Sequence, residues 1–319
     1  MFTAANPASA RILVVRLGAM GDIIHALPAV ASLKHSFPGS RLTWVVEPKW
    51  APLLEDNPFI DRLVLLRRDT LAGMVESWRS LRAERYDFAV DFQGLIKSAL
   101  AASAARTERI FGFHRTQLRE RAAALFYSHK MLSRAAHVVD KNLDLAAAAG
   151  AATLLRTFPL PAGRPEGALP PGDFVLASPL AGWRAKQWPI EHYQALAARL
   201  QAELGIPLVL NGPPGSDLQH CSGLPGLIHA TRRAAAVVGV DSGPLHLAAA
   251  LGKPGVAIYG PTDPARNGPY GDSLQVLRSP AAVVTYKRGA SIDETMCAIS
   301  PDHVFDALKG MLGERRSPK

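Results

Sequence analysis

The chain contains 319 residues, of which 48% are hydrophobic and 20% are charged. This composition excludes a disordered or fibrous chain, and the length favours two globular domains over one. Lysine and arginine number 36 against 27 aspartates and glutamates, which gives a net charge of +9. Such a basic chain favours an anionic partner: a phosphorylated sugar, an anionic lipid or a nucleic acid.

The two cysteines, Cys221 and Cys297, are far apart and form no CxxC pair. This argues against a disulfide framework and a cysteine zinc site, and it favours a reducing compartment. Residues 1–10 lack the basic start and apolar core of a signal peptide. No apolar stretch reaches the roughly 20 residues of a membrane-spanning helix. We therefore expect a cytoplasmic protein, with any membrane contact peripheral.

The first half of the chain alternates apolar strands with helices. A β-branched run at 11–17 leads into two glycines and a helix that begins near Ile23. Further elements are predicted at 42–46 (strand), 63–66 (strand), 88–91 (strand) and 94–105 (helix). Strands that alternate with helices predict a parallel, doubly wound sheet.

Residues 156–172 contain five prolines and no apolar period, so we interpret them as a linker. The alternation resumes beyond them, with strands at 174–177, 207–210, 237–240 and 256–259, and helices at 189–204, from Pro244 and at 301–312. The predicted organisation is therefore a domain at 11–155, the linker, and a second domain at 173–312.

One crossover in the second half is unusually short. Residues 224–229 (LPGLIH) have the apolar pattern of a strand, and 237–240 have that of the next strand, which leaves only 230–236 between them. A parallel crossover needs at least ~10 to 12 residues. We therefore predict a single abbreviated helical turn or an irregular crossing here, with the adjacent strand displaced or lost.

The first strand–helix turn, residues 18–22 (GAMGD), places a carboxylate at the carboxyl end of a strand, where ligands bind in open parallel sheets. It is neither a GxGxxG nor a GxxxxGK[ST] motif, which removes the main support for a nicotinamide or P-loop protein. Asp22 is either a helix N-cap or a general base, and the local pattern leaves both interpretations open.

A second glycine-rich turn occupies residues 239–246 (GVDSGPLH). Asp241 or Ser242 can cap the following helix, and Pro244 suits its first turn. The exposed N–H groups and positive dipole of such a helix start favour a phosphate, although an ordinary capped helix explains the pattern equally well. His246 lies one turn into the helix, where packed or hydrogen-bonded histidines are commoner than catalytic ones.

Basic residues mark two further places. Lys186 precedes a helix opened by Pro189, where a lysine is unfavourable for the helix dipole unless an anion lies between them. Residues 106–141 carry eight basic and three acidic residues. This segment is either a solvated face or an anion-binding surface, and its aromatic residues Phe111, Phe126 and Tyr127 are expected in the core. No DxD, HExxH, paired-histidine or GxSxG motif occurs, so neither a metal nor nucleophilic hydrolysis is indicated.

Four ordered motifs carry a resemblance to a known family: ILVVRLGAMGDIIHALPA at 12–29, YDFAVDFQGLIKSAL at 86–100, KQWPIEHY at 186–193 and VGVDSGPLHLAAALGKPGVAIYGPTDP at 238–264. Together they resemble the ADP-heptose:lipopolysaccharide heptosyltransferases (glycosyltransferase family 9), and most of all their heptosyltransferase I branch, over residues 11–312. The resemblance implies an α/β fold of the GT-B type: two Rossmann-like domains with parallel sheets facing a central cleft, the acceptor on the N-terminal domain and the nucleotide sugar on the C-terminal one.

The same resemblance implies an activity. The family transfers L-glycero-D-manno-heptose from ADP-heptose to a Kdo residue of the lipopolysaccharide inner core, with inversion and without a metal or other cofactor. The expected partners are ADP-heptose, a Kdo–lipid A type acceptor and the anionic inner membrane, with the protein peripheral on its cytoplasmic face. Nucleic acid is not expected as a partner.

Site residues also follow from the resemblance. Asp22 matches the family's catalytic base. Lys186 and the turn that follows Asp241 match the positions that stabilise the leaving diphosphate. The donor-binding residues implied are Lys186, Asp217 for the ribose, Asp241 for the sugar hydroxyls, Ser242, Gly243, Pro244, Leu245 and His246. The acceptor-binding residues implied are Arg119, His137 and Lys141.

The short crossover at 230–236 bears on this activity, because the family has a helix-containing segment there that helps to wall the adenine site. Loss of that wall would lower the affinity for the nucleotide. It would reduce the specificity for adenine more than the affinity for the diphosphate. Two alternatives therefore stand beside the heptosyltransferase: a catalytically impaired or binding-only GT-B homologue, and a family member that uses another nucleotide sugar.

Overall fold

The computed structural model describes residues 9–285 and 289–316. The chain forms two compact units, Met1–Pro161 and Ala162–Lys319. The boundary between the units falls inside the proline-rich segment 156–172, where the described chain has neither helix nor strand.

The first unit is built on a six-stranded parallel sheet with the order β3-β2-β1-β4-β5-β6. Its strands and helices are β1 (Arg11–Val15), α1 (Met20–Ser36), β2 (Arg41–Val46), β3 (Arg62–Leu65), α2 (Leu71–Arg82), β4 (Tyr86–Asp91), α3 (Ile96–Ala104), β5 (Thr107–Phe113), β6 (His129–Met131) and α4 (Val138–Ala148). Three 3-10 segments, Pro48–Leu54, Arg115–Gln117 and Arg121–Phe126, lie between them. The strand order reverses between β1 and β4, so ligand binding is expected at the carboxyl ends of these two strands.

The second unit repeats this design with the order β12-β11-β10-β7-β8-β9. Its elements are β7 (Val175–Ser178), α5 (Ile190–Leu204), β8 (Leu208–Gly212), β9 (His220–Cys221), α6 (Leu224–Arg233), β10 (Ala236–Val240), α7 (Gly243–Ala250), β11 (Gly255–Tyr259), α8 (Pro264–Asn267), β12 (Leu274–Arg278), α9 (Glu294–Cys297) and α10 (Pro301–Arg316). A 3-10 turn, Arg184–Lys186, precedes α5. Here the order reverses between β7 and β10.

The central strands are buried on both faces, as parallel sheets require. Ile12 to Val15 in β1 are fully buried, and so are all five residues of β10. This explains why continuous apolar runs predicted these strands correctly. The doubly wound parallel sheets predicted from the alternation are confirmed in both units.

Several elements were missed in the sequence, mainly in the basic segment 106–141. This segment folds into β5, two short 3-10 turns, β6 and the start of α4. Strand β5 lies between β4 and β6, and β6 is an edge strand. Both lack a long continuous apolar run, since charged and polar residues interrupt them. Phe111 and Tyr127 are buried in the core of the first unit, as predicted, whereas Phe126 is only half-buried against that core.

The prediction of a strand at 224–229 is wrong, because Leu224–Arg233 forms the helix α6. Gly223 is its N-cap and Pro225 lies in its first turn. Leu227, Ile228 and Thr231 recur at helical spacing and are buried. The preceding strand is the two-residue β9, so a ten-residue helix connects β9 to β10. The prediction of a single helical turn or an irregular crossing is therefore wrong. The adjacent strand is displaced, as predicted, because it lies at His220–Cys221 and not at 224–229. The short crossover no longer gives a reason to expect an opened adenine pocket.

Among the described residues, no helix is both long enough and apolar enough to span a membrane.

Candidate functional site

Asp22 lies at the start of α1, just beyond the carboxyl end of β1. The N-cap residue of α1 is Ala19, and Asp22 is the third residue of the helix. Its Oδ2 accepts a hydrogen bond from the backbone N–H of Ala19 at 3.1 Å, and its Oδ1 lies 2.7 Å from Nη2 of Arg16. The Asp22 side chain is still 44% exposed. The interpretation of Asp22 as the N-cap is therefore wrong. Asp22 still stabilises the start of the helix, and its carboxylate is accessible to solvent.

Arg16 and Gln93 hold the chain that carries Asp22. The Arg16 side chain is only 8% exposed, and its Nη1 donates to the carbonyl oxygen of Phe92, beyond β4. Gln93 Oε1 accepts from the N–H groups of Leu17 and Gly18 at 2.9 and 3.3 Å. Both residues were missed in the sequence. The available signal was a lone arginine at the end of a buried strand, because a buried guanidinium requires partners.

Behind this turn lies Asp91, the last residue of β4, which is paired in register with Val15 of β1. Its buried carboxylate accepts from Tyr127 Oη at 2.7 Å, Ser98 Oγ at 2.8 Å, and the N–H groups of Gln93 and Gly94. Burial raises the pKa of Asp91, against the opposing effect of these hydrogen bonds. The network fixes the loop whose Gln93 side chain holds the turn before Asp22.

The three acceptor-side candidates fall into two places. His137 is the N-cap of α4, where its Nδ1 accepts from the N–H of Val139 at 3.1 Å. Its ring makes an edge-to-face contact with His25 of α1. Lys141 lies on the same first turn and is half-buried, whereas Arg119 is exposed in the segment between two 3-10 turns. The structure thus joins His137 and Lys141 in one turn, with Arg119 on a separate segment.

In the second unit, a buried carboxylate joins the residues predicted to bind the donor. Asp241 follows β10, and its Oδ2 accepts from Lys186 Nζ at 2.9 Å. His246 Nε2 lies 3.5 Å from the other oxygen, Oδ1. Lys186 Nζ also lies 5.0 Å from the ring centroid of Trp183. Lys186 and Asp241 therefore bind each other, which ties the turn before α5 to the start of α7.

The ionised form of Asp241 is strongly favoured. Burial alone would raise its pKa, but the hydrogen bond from His246 and the charge of Lys186 outweigh it and hold the pKa well below the usual range. Because folding lowers this pKa, the ionised carboxylate stabilises the fold fully above about pH 4 and loses its contribution as the pH falls below that.

We expect Asp241→Asn to lower the free energy of unfolding at pH 7 by about 1–3 kcal/mol, since a buried charged partner is lost. The difference from the parent should shrink below about pH 4, where the unfolded carboxyl takes up its proton. Urea unfolding between pH 3 and pH 7 measures it. A difference that stays constant over this range would contradict the assignment.

The start of α7 presents a polar face suited to an anion. Ser242 is the N-cap but makes no side-chain cap hydrogen bond, and its buried Oγ has no hydrogen-bond partner within the part of the chain that the structure describes. Gly243 and Pro244 form the first turn. Leu245 differs from its neighbours, because its side chain is buried and packs over Gly239 of β10. The side chain of Leu245 therefore supports the turn from beneath.

An apolar cavity of about 270 Å³ lies beside this helix start. It opens at the carboxyl ends of β7 and β8 and is walled by α6, and its lining residues are Ser178, Leu180, Asn211, Gly212, Pro213, Pro214, Ser222, Gly223, Leu224, Leu227 and Pro244. This is the position at which doubly wound sheets bind ligands. Asp217 is exposed in the loop after β8 and does not line the cavity.

Two doubly wound parallel units, each with a polar turn at its switch point, match the GT-B-like fold of solved heptosyltransferases. The solved structure described as E. coli heptosyltransferase WaaC with ADP matches with a TM-score of 0.77 and 26% identity, over 94% of this chain and 99% of that one. E. coli ADP-heptose lps heptosyltransferase II has the same fold, with a TM-score of 0.77, 23% identity and coverage of 96% and 100%.

The sequence matches the model of glycosyltransferase family 9 (heptosyltransferase) over residues 74–222 and 222–289. Lipopolysaccharide heptosyltransferase 1 of Escherichia coli K12 is 29% identical over 309 residues, which cover 85% of this chain and 94% of that protein. The protein of the same name from Pseudomonas aeruginosa is 30% identical over 306 residues and 84% of each chain. The chain belongs to glycosyltransferase family 9, the heptosyltransferase family, which confirms the resemblance found in the sequence.

Proposed function

We propose that the protein transfers L-glycero-D-manno-heptose from ADP-heptose to a Kdo residue of the lipopolysaccharide inner core, with inversion and without a metal. The observation that carries this proposal is the apolar cavity that adjoins the helix start of α7, since Pro244 belongs to both. A nucleobase requires the apolar part and a diphosphate the polar part. The relatives named lipopolysaccharide heptosyltransferase 1, and the similar structure with ADP, support the same donor and pathway.

In the proposed donor site, fixed positive charge stabilises the leaving group. Lys186, the N–H groups at the start of α7 and the Ser242 hydroxyl supply hydrogen-bond donors to a diphosphate whose negative charge grows as the sugar departs. Asp241 orients Lys186 through their 2.9 Å ion pair. We assign Asp241 a second task, the binding of donor sugar hydroxyls through its remaining lone pairs.

In the proposed acceptor site, Asp22 is the general base. An acceptor hydroxyl oxygen forms the new bond to the anomeric carbon, its proton passes to the Asp22 carboxylate, and the bond from that carbon to ADP breaks with its electron pair on the diphosphate. Arg16 and the Ala19 N–H orient the carboxylate. His137, Lys141 and Arg119 are assigned to the carboxylates and phosphates of a Kdo–lipid A acceptor, which the protein would meet at the cytoplasmic face of the inner membrane.

The proposal is tested by the release of ADP from ADP-heptose with and without a Kdo-bearing acceptor. We expect acceptor-dependent release that survives an excess of EDTA, because Lys186 and α7 supply the charge that a metal would otherwise provide. Equal release without acceptor, or activity that Mg²⁺ restores after EDTA, would contradict the proposal. Turnover with another nucleotide sugar but not with ADP-heptose would favour the alternative donor. Tight ADP binding without turnover would favour the binding-only homologue.

The adenine site gives a separate prediction. Leu224 of α6 is half-buried at the cavity, so Leu224→Ala should weaken ADP binding by about fivefold, the effect of losing about 1 kcal/mol of apolar contact. Binding of inorganic diphosphate should be unchanged, since α7 is intact. The two affinities are measured by calorimetry. Equal losses for ADP and diphosphate would exclude the cavity as the base site.

A further inference from the structure

The helix α2 exposes large apolar side chains to solvent, whereas an ordinary surface helix buries them. Its buried face consists of Gly73, Ser77 and Leu81. Its exposed face carries four large apolar side chains that are between 48% and 82% exposed: Leu71, Met74, Val75 and Trp78. We call these four residues the apolar stripe. Their i, i+3, i+4, i+7 spacing places them on one side of the helix, whereas a surface helix of a globular protein normally turns that side inward.

The buried face attaches α2 to the first unit without any help from the apolar stripe. Ser77 Oγ accepts from the N–H of Arg67 at 2.8 Å and donates to the carbonyl oxygen of Gly73 at 2.7 Å. Thr70 caps the helix, and its Oγ1 accepts from the N–H of Gly73 at 3.0 Å. Folding of the unit therefore does not explain the exposed apolar side chains, and a surface to which they bind would explain them.

Neighbouring elements extend the apolar surface. The helix α3 contacts both α2 and the 3-10 segment Arg121–Phe126. Ile96 and Leu100 of α3 lie one turn apart and are exposed, and Leu125 of the 3-10 segment is exposed as well. Three adjacent elements of the first unit thus present large apolar side chains to solvent.

The charges around the apolar stripe favour an anionic surface as its occupant. Residues 67–82 contain four arginines (Arg67, Arg68, Arg79 and Arg82) and two acids (Asp69 and Glu76). Arg67 and Arg68 form ion pairs with Glu76 and Glu47, whereas Arg79 and Arg82 lie in the last turn of α2. The Arg82 guanidinium lies 5.0 Å from the ring centroid of Trp78. Tryptophan and arginine at the border of an apolar face are typical of helices that lie in the headgroup region of a bilayer. A two-fold dimer through the same face would bring the arginines of both copies together, which is unfavourable.

We propose that the apolar stripe of α2, extended by α3, docks the first unit on an anionic phospholipid bilayer. The inference deepens the proposed function, because a lipid-linked acceptor is met at such a surface. The amino end of α2 follows β3, so it lies at the carboxyl edge of the sheet, as Asp22 does. Docking through α2 would hold that edge close to the headgroups.

The test is flotation of the full-length protein with acceptor-free vesicles of phosphatidylglycerol and phosphatidylethanolamine, and with vesicles of phosphatidylcholine alone. We expect the protein to bind the anionic vesicles. Binding should weaken as salt is added, because salt screens the attraction between the arginines and the anionic headgroups. The double variant Leu71→Ser/Trp78→Ser should bind about tenfold more weakly. The control is Val283→Ser, which removes a 77% exposed apolar side chain from the second unit and should bind as the parent does.

The proposal would be overturned if the double variant bound vesicles as well as the parent does. It would also be overturned if the parent bound neither kind of vesicle. Sedimentation could instead show that the parent is a dimer and the double variant a monomer. That result would also overturn the proposal, because the apolar stripe would then be an interface between two copies of the chain. The double variant should keep the parent's rate on a water-soluble Kdo acceptor, since the stripe has no part in the chemistry. Vesicle binding needs neither donor nor acceptor, so a failure of the proposed transfer is distinguished from a failure of docking.

Discussion

Replacement of Asp22 by asparagine should lower the rate of heptose transfer by about 10² to 10⁴, the usual contribution of a general base. The amide cannot take a proton from the acceptor hydroxyl. Its carbonyl oxygen can still accept from the Ala19 N–H, so that hydrogen bond at the start of α1 should survive, although the ion pair with Arg16 is lost. Steady-state assays with saturating donor measure the loss, and ADP-heptose affinity should be about unchanged.

The control for this prediction is Ser36→Ala, at the opposite end of the same helix, where Ser36 Oγ accepts from the N–H groups of Ala152 and Thr153. It removes hydrogen bonds of α1 without touching the carboxylate, so activity should persist even if stability falls. If Asp22→Asn keeps activity to within a factor of about three, Asp22 serves the helix alone and another group is the base.

Replacement of Lys186 by alanine should raise the donor KM and lower kcat together. Its cation would act on the diphosphate in the ground state and more strongly in the transition state, as preorganised donors do, so kcat/KM should fall by about 10²- to 10³-fold. The substitution also leaves the buried Asp241 carboxylate without its 2.9 Å partner, which should lower stability. Donor kinetics and thermal unfolding are measured on the same preparation.

The double variant Lys186→Ala/Asp241→Asn tests the stability effect. It removes both members of the ion pair, so much of the lost stability should return. Its donor turnover should stay impaired, because both residues are assigned to the donor. If ADP and ADP-heptose bind Lys186→Ala as tightly as the parent, the lysine has only a structural role in holding Asp241, and its assignment to the diphosphate is wrong.

Local sequence predicted those parts of the fold in which local and tertiary preferences agree. The β1–turn–α1 unit combines four fully buried apolar residues, two glycines and a carboxylate within the first helical turn. The β10–α7 unit has the same character, with Ser242 and Pro244 marking the helix start. These two units carry Asp22 and the start of α7, so both places could be marked as candidate sites in the sequence, whereas the roles assigned to their residues stay predictions.

Interactions between distant parts of the chain were beyond local sequence. Residues 224–229 are a short apolar run, and periodicity alone cannot assign such a run to a strand or a helix. In the folded chain Leu227 and Ile228 are buried on one face of the helix α6. Lys186 and Asp241 are 55 residues apart, so their ion pair leaves no mark in either motif. The same holds for Arg16, whose Phe92 contact is 76 residues away.

The most direct test of the account is the structure of the transfer product. Purified protein is incubated with ADP-heptose and a Kdo acceptor in EDTA, and the anomeric configuration of the transferred heptose is determined by NMR. We expect one added heptose, with an anomeric configuration opposite to that in the donor, because a single displacement assisted by Asp22 inverts the anomeric carbon. A product with retained configuration, or heptose released only to water, would contradict it.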